Sequence, residues 1–254
     1  MALTTTTIQR IALWLREANQ AVVFTGAGMS TESGIPDFRS PGGVWSRNQP
    51  VYYQDFLSSA EARHEYWRQK SEAADDFLRA RPNPGHDTIA KWEAEGRIAG
   101  VITQNIDGLH QQAGSRRVLE VHGTARWIEC VDCQNRFEPL PLIEAFRASQ
   151  IVPPCPSCGG RLKSATISFG QGMPAQVMEE SVLLAETSEL FLAIGSSLVV
   201  YPAAELPQIA KRAGARLVII NRDATDQDRS AAAVVREPIG TVLPQINNAL
   251  RDQA

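Results

Sequence analysis

The sequence lacks three features that would each point to a particular class of protein. Its 254 residues carry a net charge of −3, which disfavours a nucleic acid or an anionic membrane as partner. It has no apolar run near the roughly 18 residues needed to span a bilayer. The first residues, MALTTTT, also lack the basic head and apolar stretch of a signal peptide. We therefore expect a cytoplasmic protein.

Cysteine is scarce, and every cysteine belongs to one motif. The four residues form two Cys-x-x-Cys pairs, Cys130 with Cys133 and Cys155 with Cys158. Two such pairs can close a tetrahedral four-sulfur Zn²⁺ site, which leaves no open position for substrate or water. The pattern predicts one structural zinc ion per chain. The alternative is two unrelated pairs of buried thiols or disulfides. A reducing compartment fits the zinc interpretation, because zinc thiolates persist there.

Short apolar runs alternate with helical patterns along most of the chain. The runs are residues 21–25, 100–103, 118–122, 189–195 and 216–221, and the helical patterns are 7–18, 86–95, 174–186 and 202–213. Such β-branched runs are typical of buried parallel strands, so we predict an α/β fold with a Rossmann-like, doubly wound parallel sheet. Its ligand crevice should lie at the carboxyl ends of the strands. The threonine run before the first helix is predicted to supply its N-cap.

Two stretches interrupt this alternation. Residues from about 45 to 83 are rich in Glu, Arg, Trp and Tyr without a strand signal, which indicates a helical insertion. Residues from about 123 to 171 contain the cysteines and form the predicted zinc-binding module. We therefore expect a single domain over 1–254. Its core comprises about 1–44, 84–122 and 172–254, and a smaller composite lobe faces the core across a cleft.

The first predicted strand leads into a glycine-rich loop. Gly26 and Gly28 would let the backbone approach a pyrophosphate and point amide groups at it. The third glycine of the dinucleotide fingerprint is replaced by Thr31, and the acidic residue about 20 positions later is missing, so a plain tight turn is the alternative. An irregular stretch that would suit a ligand-covering loop follows, with the side chains of Asp37, Phe38 and Arg39.

Polar side chains follow several predicted strands. Gln104, Asn105 and Asp107 come after the second strand, where amides and a carboxylate can bind ribose hydroxyls. The alternative is that Asn105 or Asp107 caps a helix. Two later strands end in the same way and are followed by Gly195, Ser196 and Ser197, and by Asn221.

His122 is the most informative titratable residue. It ends a predicted strand and precedes Gly123, where its ring can enter the cleft. A histidine with a pKa of about 6.5 can act as a general base at neutral pH. The other three histidines lie on helical or loop segments and have surface or capping explanations: His64, His86 and His110.

With these motifs in place, the chain resembles the sirtuin family of NAD⁺-dependent protein deacylases from Val22 to about Leu243. The shared motifs are GAGMSTESGIPDFR at 26–39, TQNIDGLH at 103–110, His-Gly at 122–123, both cysteine pairs, Phe-Gly at 169–170 and GSSLVVYPAA at 195–204. Their combination in this order is highly specific. The resemblance implies that acyl-lysine and NAD⁺ give lysine, nicotinamide and O-acyl-ADP-ribose, with NAD⁺ consumed rather than reduced.

The resemblance also implies roles for individual residues. His122 would take a proton from the ribose so that its 2′-hydroxyl attacks the alkylamidate intermediate, and Asn105 would orient the ribose and a water. The implied cofactor contacts are Gly26, Ala27, Gly28, Asp37, Phe38, Arg39, Gln104, Asn105, Asp107, Gly195, Ser196, Ser197, Asn221 and Ile239. An acylated protein or peptide would add as a strand between the Phe-Gly segment and the 198–201 loop. Its implied contacts are Ile167, Phe169, Gly170 and Val199.

Two differences from the common family pattern and one missing motif concern the choice of substrate. Gln171 stands where many members have Glu, and residues 39–45 resemble branches with weak deacetylation or long-chain deacylation. The Tyr-x-x-Arg pair of members that remove acidic acyl groups is absent, since the insertion has only Tyr52-x-x-Asp55, Tyr53-x-x-Phe56 and Tyr66-x-x-Gln69.

Two other functions are compatible with this scaffold. One is a mono-ADP-ribosyltransferase, and the other is a non-catalytic sensor of NAD⁺ or ADP-ribose. The presence of both Asn105 and His122 favours the deacylase, because transfer to an external nucleophile does not need the histidine that activates the ribose hydroxyl.

Overall fold

The computed structural model describes residues 2–37, 43, 46 and 48–251. The strands are β1 (Ala21–Thr25), β2 (Val101–Thr103), β3 (Val118–Glu120), β4 (Gly123–Cys130), β5 (Arg136–Phe137), β6 (Leu162–Thr166), β7 (Leu190–Ile194), β8 (Arg216–Ile220) and β9 (Ala233–Val235). The α-helices are α1 (Ala2–Glu17), α2 (Tyr53–Ser58), α3 (Ala60–Arg79), α4 (Pro84–Ala94), α5 (Leu109–Gln112), α6 (Pro139–Ser149), α7 (Ala175–Thr187), α8 (Leu206–Arg212) and α9 (Ile239–Arg251). The predicted cofactor residues Phe38 and Arg39 lie outside the described residues.

The larger part of the molecule is a parallel sheet of six strands in the order β3-β2-β1-β7-β8-β9. The chain runs from β1 outward to β2 and β3, and later returns to β7 on the other side of β1. The strand order therefore reverses between β1 and β7. In open α/β sheets the ligand crevice forms at such a switch point, outside the carboxyl ends of the strands.

Both faces of this sheet are covered by helices. Val23 and Leu192 pack with α1, α4 and α9 on one face, whereas Phe24 and Phe191 pack with α7 and α8 on the other. Successive strand residues point to opposite faces, so a strand buried on both sides must be apolar at nearly every position. This explains the continuous apolar runs of the sequence and confirms the predicted α/β fold.

A second, smaller unit, which we call the small lobe, comprises β4, β5, β6, α2, α3 and α6. Its antiparallel strands are ordered β5-β4-β6. Its core is separate from the two cores of the large sheet and contains Phe56, Trp67, Phe146 and two of the cysteines. The Trp67 ring nitrogen donates to the Leu162 carbonyl (2.9 Å), which fixes α3 to β6.

The structure differs from the sequence expectations at three places. Strand β9 and helix α9 were not predicted, and neither were the strands β4, β5 and β6 of the small lobe. The predicted N-cap at the threonine run is wrong, because α1 begins at Ala2 and contains residues 4–7. In the described part of the chain, no helix combines the length and apolarity needed to cross a membrane.

Candidate active site

Three glycines bring two loops into close contact at the switch point. Gly26 N donates to Ile194 O (3.1 Å), and Gly28 N donates to Gly195 O (2.8 Å). A Cβ atom on Gly26 would lie 2.8 Å from the Cβ of Ser196, and one on Gly28 would lie 2.9 Å from the Cα of Gly195. Gly195 itself has a φ of 63°. Larger residues would separate the two loops, so the glycines are needed for this approach.

The end of β2 is tied to the same loops through Gln104. Its Nε2 donates to the Ser196 hydroxyl (2.7 Å), and its backbone N donates to Thr25 O (2.9 Å). The Ser196 hydroxyl also accepts from Leu198 N (3.2 Å), which orders the turn after β7. Ser197 is exposed on this turn. The ends of β1, β2 and β7 thus form one connected polar edge.

Asn105 is held at this edge by its amide group. Its Nδ2 donates to Gly26 O (3.0 Å) and to the Ser30 hydroxyl (3.1 Å). Ser30 in turn donates to the Asp107 carboxylate (2.7 Å). Asn105 is only 8% exposed, and no described residue donates a hydrogen bond to its Oδ1. The amide therefore presents an acceptor oxygen to a ligand and keeps its NH₂ group inside the protein.

Asp107 has a local structural role as well as a place in this cluster. Its carboxylate accepts from Leu109 N (2.9 Å), the first residue of α5, but the N-cap residue of α5 is Gly108 and not Asp107. Asn105 makes no such bond. Burial raises the pKa of Asp107 above its usual range, although the bonds to Leu109 and Ser30 oppose this shift.

His122 follows β3 and is fixed in one tautomer. Its Nδ1 lies 3.1 Å from Gln104 O. A carbonyl oxygen can only accept, so Nδ1 carries the proton and Nε2 keeps a free lone pair. Burial lowers the pKa of His122 below its ordinary value of 6.5, while the bond to the Gln104 carbonyl opposes the shift. The ring is therefore neutral at neutral pH, and Nε2 can accept a proton.

Gly123 explains why the chain can turn away directly after His122. It has a φ of 70°, in the region that favours glycine, and an added Cβ would clash with Ala165 O. His122 O accepts from Ile167 N (2.8 Å). The backbone around His122 is thus held between the large sheet and the end of β6.

The remaining predicted cofactor residues lie farther along the same edge of the sheet. Asn221 follows β8 and donates from its backbone to Val235 O (3.1 Å), and Ile239 is the buried first residue of α9. The carboxylates of Asp223 and Asp37 raise the pKa of the Arg222 guanidinium, so the end of the glycine-rich loop faces the end of β8. Ala27 is half-buried on that loop.

The four cysteines converge in the small lobe. Their Sγ atoms all lie within 4.8 Å of one another. The Cys130–Cys158 distance is 3.6 Å and the Cys133–Cys155 distance is 3.7 Å, far longer than the roughly 2.05 Å of a disulfide. Tetrahedral zinc with Zn–S bonds of about 2.3 Å places its sulfur atoms about 3.8 Å apart. The thiols therefore fit a four-sulfur zinc site, and the disulfide alternative is not observed.

The predicted substrate residues are all at least partly exposed to solvent. Phe169 is 40% exposed and Val199 is 46% exposed, and Gly170 lies beside Phe169 with a φ of 80°. Tyr53 N donates to Phe169 O (2.9 Å), which joins the start of α2 to this segment. Ile167 is half-buried next to the His122 backbone.

Gln171 has a role inside the small lobe. Its Oε1 accepts from the buried Lys163 ammonium group (3.2 Å) and from Ser168 N (3.1 Å). Lys163 also donates to Ser164 O and Thr166 O. Burial lowers the pKa of Lys163. Because Gln171 is uncharged, this lysine has neutral oxygen partners in all three bonds.

Comparison with known proteins agrees with this geometry. The model of the Sir2 family matches residues 26–202, which is more than half of the chain and includes the glycine-rich loop, His122 and all four cysteines. The chain belongs to the Sir2 family. This confirms the sirtuin resemblance inferred from the sequence motifs.

Individual members of the Sir2 family are similar over nearly their full length. The NAD-dependent protein deacetylase of Rhodopseudomonas palustris is 46% identical over 244 residues, covering 95% of this chain and 96% of that protein. A solved structure of a Sir2 variant with a deacetylated p53 peptide and 3′-O-acetyl ADP ribose has a TM-score of 0.89 at 36% identity, covering 95% of this chain and 98% of that one. A Sir2 complex with a p53 peptide and NAD⁺ has a TM-score of 0.85 at 36% identity, covering 96% and 97%.

Four polar residues within or next to the Sir2 family motifs were not expected to contribute to the site: Thr25, Ser30, Thr103 and His110. The surface or capping explanation is wrong for His110, which is 1% exposed and bonds to Thr25. The capping explanation is confirmed for His86, whose Nδ1 accepts from Asn83 N (3.3 Å). The available signal was the threonine at the end of β1 and of β2, two otherwise apolar strands.

Proposed function

We propose that this protein is an NAD⁺-dependent protein-lysine deacylase, which acts as a deacetylase on acetyl-lysine. It would convert acyl-lysine, NAD⁺ and water into lysine, nicotinamide and O-acyl-ADP-ribose. The observation that carries this proposal is the fixed tautomer of His122, whose Nε2 is a free base beside the polar edge formed by Gln104 and Asn105. The similarity to an NAD-dependent protein deacetylase supports the same assignment.

His122 is proposed as the general base. Its lowered pKa keeps Nε2 unprotonated at neutral pH, so it can take the proton of a ribose hydroxyl. The Gln104 carbonyl holds Nδ1–H and orients the ring. The proton acceptor is lost when the ring becomes charged, so the rate should fall as the pH drops through the pKa of His122, which lies below 6.5.

Asn105 is proposed to orient the ribose and a bound water. Its NH₂ group is bound to Gly26 O and to Ser30, so its Oδ1 is the atom left for a ligand. An acceptor oxygen in this fixed position suits a hydroxyl group or a water, since each can donate a hydrogen bond. Gln104 and Asp107 would line the nicotinamide and ribose pocket.

The glycine-rich loop is proposed to hold the pyrophosphate and the rest of NAD⁺. The close approach of Gly26 and Gly28 to Gly195 leaves backbone rather than side chains at the surface of the crevice. Within the described part of the chain, Ala27 N makes no hydrogen bond and can donate to a phosphate oxygen. Further contacts are proposed from Gly195, Ser196, Ser197, Asn221, Ile239, Asp37, Phe38 and Arg39.

The four cysteines are proposed to hold one structural zinc ion. Their sulfur spacing fits tetrahedral thiolate coordination, and four protein ligands leave no position for a substrate. Gly123, next to His122, pairs with Thr166 of β6, and Cys130 pairs with Leu162 four residues away along that strand, which is a separation of roughly 13 Å. The metal would stabilise the small lobe and take no part in the reaction. Four unpaired cysteines also support the proposal of a cytoplasmic location.

The acylated protein or peptide is proposed to bind as a strand between the Phe169-Gly170 segment and the 198–201 loop. Backbone hydrogen bonds would provide affinity, and Ile167 and Val199 would contact the acyl-lysine. We also keep the division into a core of about 1–44, 84–122 and 172–254, a helical insertion of about 45–83 and a zinc-binding module of about 123–171. The separate core of the small lobe supports it.

The test is an acyl-peptide panel with NAD⁺, followed by nicotinamide release and by mass spectrometry of the NAD⁺-derived product. Deacylation gives free lysine and O-acyl-ADP-ribose in equal amounts. Protein-linked ADP-ribose would identify a mono-ADP-ribosyltransferase instead. NAD⁺ binding without any product would identify a sensor, and either result would overturn the proposal.

A further inference from the structure

A chain of buried polar groups lies directly behind Asn105. His110 Nε2 is 2.9 Å from the Thr25 hydroxyl, which donates to the Thr103 hydroxyl (2.8 Å). The Thr103 hydroxyl then accepts from Asn105 N (3.0 Å). His110, Thr25 and Thr103 are 1%, 0% and 2% exposed, so the chain is sealed from solvent.

The proton positions along this chain can be assigned. Thr25 uses its proton toward Thr103, so the bond between His110 and Thr25 requires a proton on His110 Nε2. His110 Nδ1 has no partner in the described part of the chain. A buried bare lone pair is less costly than a buried N–H without an acceptor, which favours the same tautomer. Burial, reinforced by the nearby His86, lowers the pKa of His110 to about 3, so the ring stays neutral.

The cost of burying these groups argues against an accidental arrangement. Residues 21–24 of β1 are all apolar and buried, and Thr25 alone interrupts the run. Burying a hydroxyl or an imidazole is unfavourable unless it is hydrogen-bonded, and apolar side chains could fill the same space without that cost. The bonds do not stop within the core, because they end on the backbone amide of Asn105.

A second set of bonds restrains the opposite side of Asn105. Its Nδ2 binds Ser30 on the glycine-rich loop. That loop is held by Asn83, whose side chain donates to Met29 O (2.8 Å) and to the Ser33 hydroxyl (3.0 Å). Asn83 precedes His86, whose ring lies 4.9 Å from that of His110. The backbone and the side chain of Asn105 are thus fixed from one buried cluster.

We propose that His110 is a positioning residue for the reaction, which acts through the Thr25 and Thr103 hydroxyls on Asn105. It touches neither substrate nor reacting atoms. Its Nε2–H fixes the Thr25 hydroxyl proton toward Thr103, and Thr103 fixes the Asn105 backbone that carries the acceptor Oδ1. The inference rests on the proposed function, because it assigns Asn105 the role of orienting ribose and water.

The kinetic test compares Thr25→Val with Thr25→Ser. Valine has nearly the shape of threonine but breaks both bonds, whereas serine keeps the hydroxyl. We expect Thr25→Val to lower kcat by at least about tenfold with KM for the peptide unchanged, since small misplacements of a positioning group can cost up to about a hundredfold. Thr25→Ser should recover most of that loss. Equal rates for the two variants would overturn the inference.

Thr88→Val is the matched control for a buried threonine. Among the described residues, the Thr88 hydroxyl is bonded only to Pro84 O (2.7 Å) within its own helix, away from the chain to Asn105. The Thr88→Val variant should have a lower unfolding temperature than wild type and an unchanged kcat. A loss of kcat in Thr88→Val as large as in Thr25→Val would show a general effect of core damage and would also overturn the inference.

Side-chain nitrogen NMR gives a readout that does not need activity. The chain has only four histidines, so single His→Gln variants assign their ring signals. His110 should be the neutral Nε2–H tautomer and His122 the opposite, Nδ1–H tautomer. Thr25→Val should shift the His110 Nε2–H signal and leave that of His122 in place. A proton on His110 Nδ1 would overturn the inference. A wild-type protein inactive on every acyl peptide would overturn the proposed function instead.

A last pair of variants tests His110 itself. The glutamine side chain of His110→Gln can place an amide N–H near the position of Nε2, whereas the leucine side chain of His110→Leu cannot donate. We expect His110→Gln to retain kcat within about threefold of wild type and His110→Leu to lose at least about tenfold at matched folded fraction. Equal kcat values for these two variants would contradict the role of the Nε2–H donor.

Discussion

The carboxyl edge of the large sheet and the small lobe are stabilised in different ways. At the sheet edge, the contacts that fix Gly28, Asn105 and His122 are hydrogen bonds between protein atoms. In the small lobe, four thiols approach one another without covalent bonds, and β5 contributes only two residues to its sheet. The edge is therefore preorganised by the fold, whereas the small lobe is proposed to depend on a bound zinc ion.

The two regions meet at His122 and Gly123. Gly123 begins β4 and pairs with Thr166 of β6, and His122 O accepts from Ile167 N. Unfolding of the small lobe should therefore disturb the position of the proposed base, His122. Removal of the base should leave the small lobe unchanged, because the ring of His122 bonds to Gln104 of the large sheet.

The largest expected effect is that of Cys155→Ser, which removes one metal ligand. Structural zinc contributes roughly 10–16 kcal/mol in zinc-finger peptides, so its loss should unfold the small lobe and abolish activity. The zinc content measured by metal analysis should fall from one ion per chain to none. The rate of amide hydrogen exchange should rise in β4 to β6 but not in β1 or β7.

The matched control for this variant is Ser157→Ala, a change at an exposed residue between the two cysteines of the same pair. It should keep zinc and activity. Wild-type protein prepared without chelators under reducing conditions that contains no zinc would refute the metal site. Uniform loss of protection over the whole chain would show that the two regions are not separately stabilised.

The second-largest expected effect is that of the His122→Ala substitution. Loss of the general base should lower kcat by at least about a hundredfold, while zinc content and NAD⁺ binding stay at wild-type levels. The unfolding temperature should change by no more than roughly 3 °C, since the ring is half-buried and bonded to a single carbonyl. His64→Ala, a change at a half-buried histidine of the small lobe, is the control and should keep kcat. Near wild-type turnover of His122→Ala would reject His122 as the base.

Much of the structure of the sheet edge and of the cysteine cluster could be predicted from the sequence, because the sequence patterns that indicate them are local. Apolar β-branched runs indicated β1, β7 and β8 to within a residue or two, since a strand covered on both faces must be apolar throughout. The cysteine spacing indicated the four-sulfur cluster. The polar residues after β2 and β7 followed from the rule that parallel strands present ligand groups at their carboxyl ends.

The missed features depend on tertiary contacts. Helix α9 contains Pro244, which costs about 3 kcal/mol in a helix interior and argues against a helix there. Burial of five apolar side chains outweighs that cost, at about 1.5–3 kcal/mol each. His110 was misjudged because α5 has only four residues, and its burial comes from packing against α4 and β1. No local pattern contains that information.

The preference for neutral or acidic acyl groups tests whether a cationic side chain of the small lobe reaches the bound acyl group. Arg63 donates to Phe56 O and Leu57 O, Arg68 pairs with Glu65 and Glu72, and Lys163 binds Thr166 O and Gln171. A buried carboxylate without a cationic partner is very costly. We therefore expect kcat/KM for acetyl-lysine to exceed that for succinyl-lysine on one peptide by at least about tenfold. Comparable values would show that a cation of the small lobe, with Lys163 the first to test, reaches the acyl group.

The smallest expected effect is a loss of stability at acid pH that is caused by two buried histidines near the sheet edge, His86 and His110. Burial lowers the pKa of His86 to about 4, and burial together with His86 lowers that of His110 to about 3. Both are neutral in the folded protein at pH 5, whereas in the unfolded chain, with an ordinary value of 6.5, they are largely charged. The unfolded state then binds more protons, so each histidine should lower the free energy of unfolding by about 1.4 kcal/mol per pH unit between 6.5 and its folded pKa, which is about 4 for His86 and about 3 for His110.

The His110→Gln variant isolates one of these contributions, because glutamine does not titrate. Between pH 6.5 and 4.5 the unfolding free energy of wild type should fall more steeply than that of the variant, by about 1.4 kcal/mol per pH unit. The raised pKa of Asp107 acts in the opposite direction in both proteins and cancels in the difference. Thr88→Val changes no titratable group, so its curve should stay parallel to that of wild type. Parallel curves for His110→Gln and wild type would mean that His110 is charged in the folded protein or exposed to water, and the sheet edge would not be sealed as the hydrogen-bond chain to Asn105 requires.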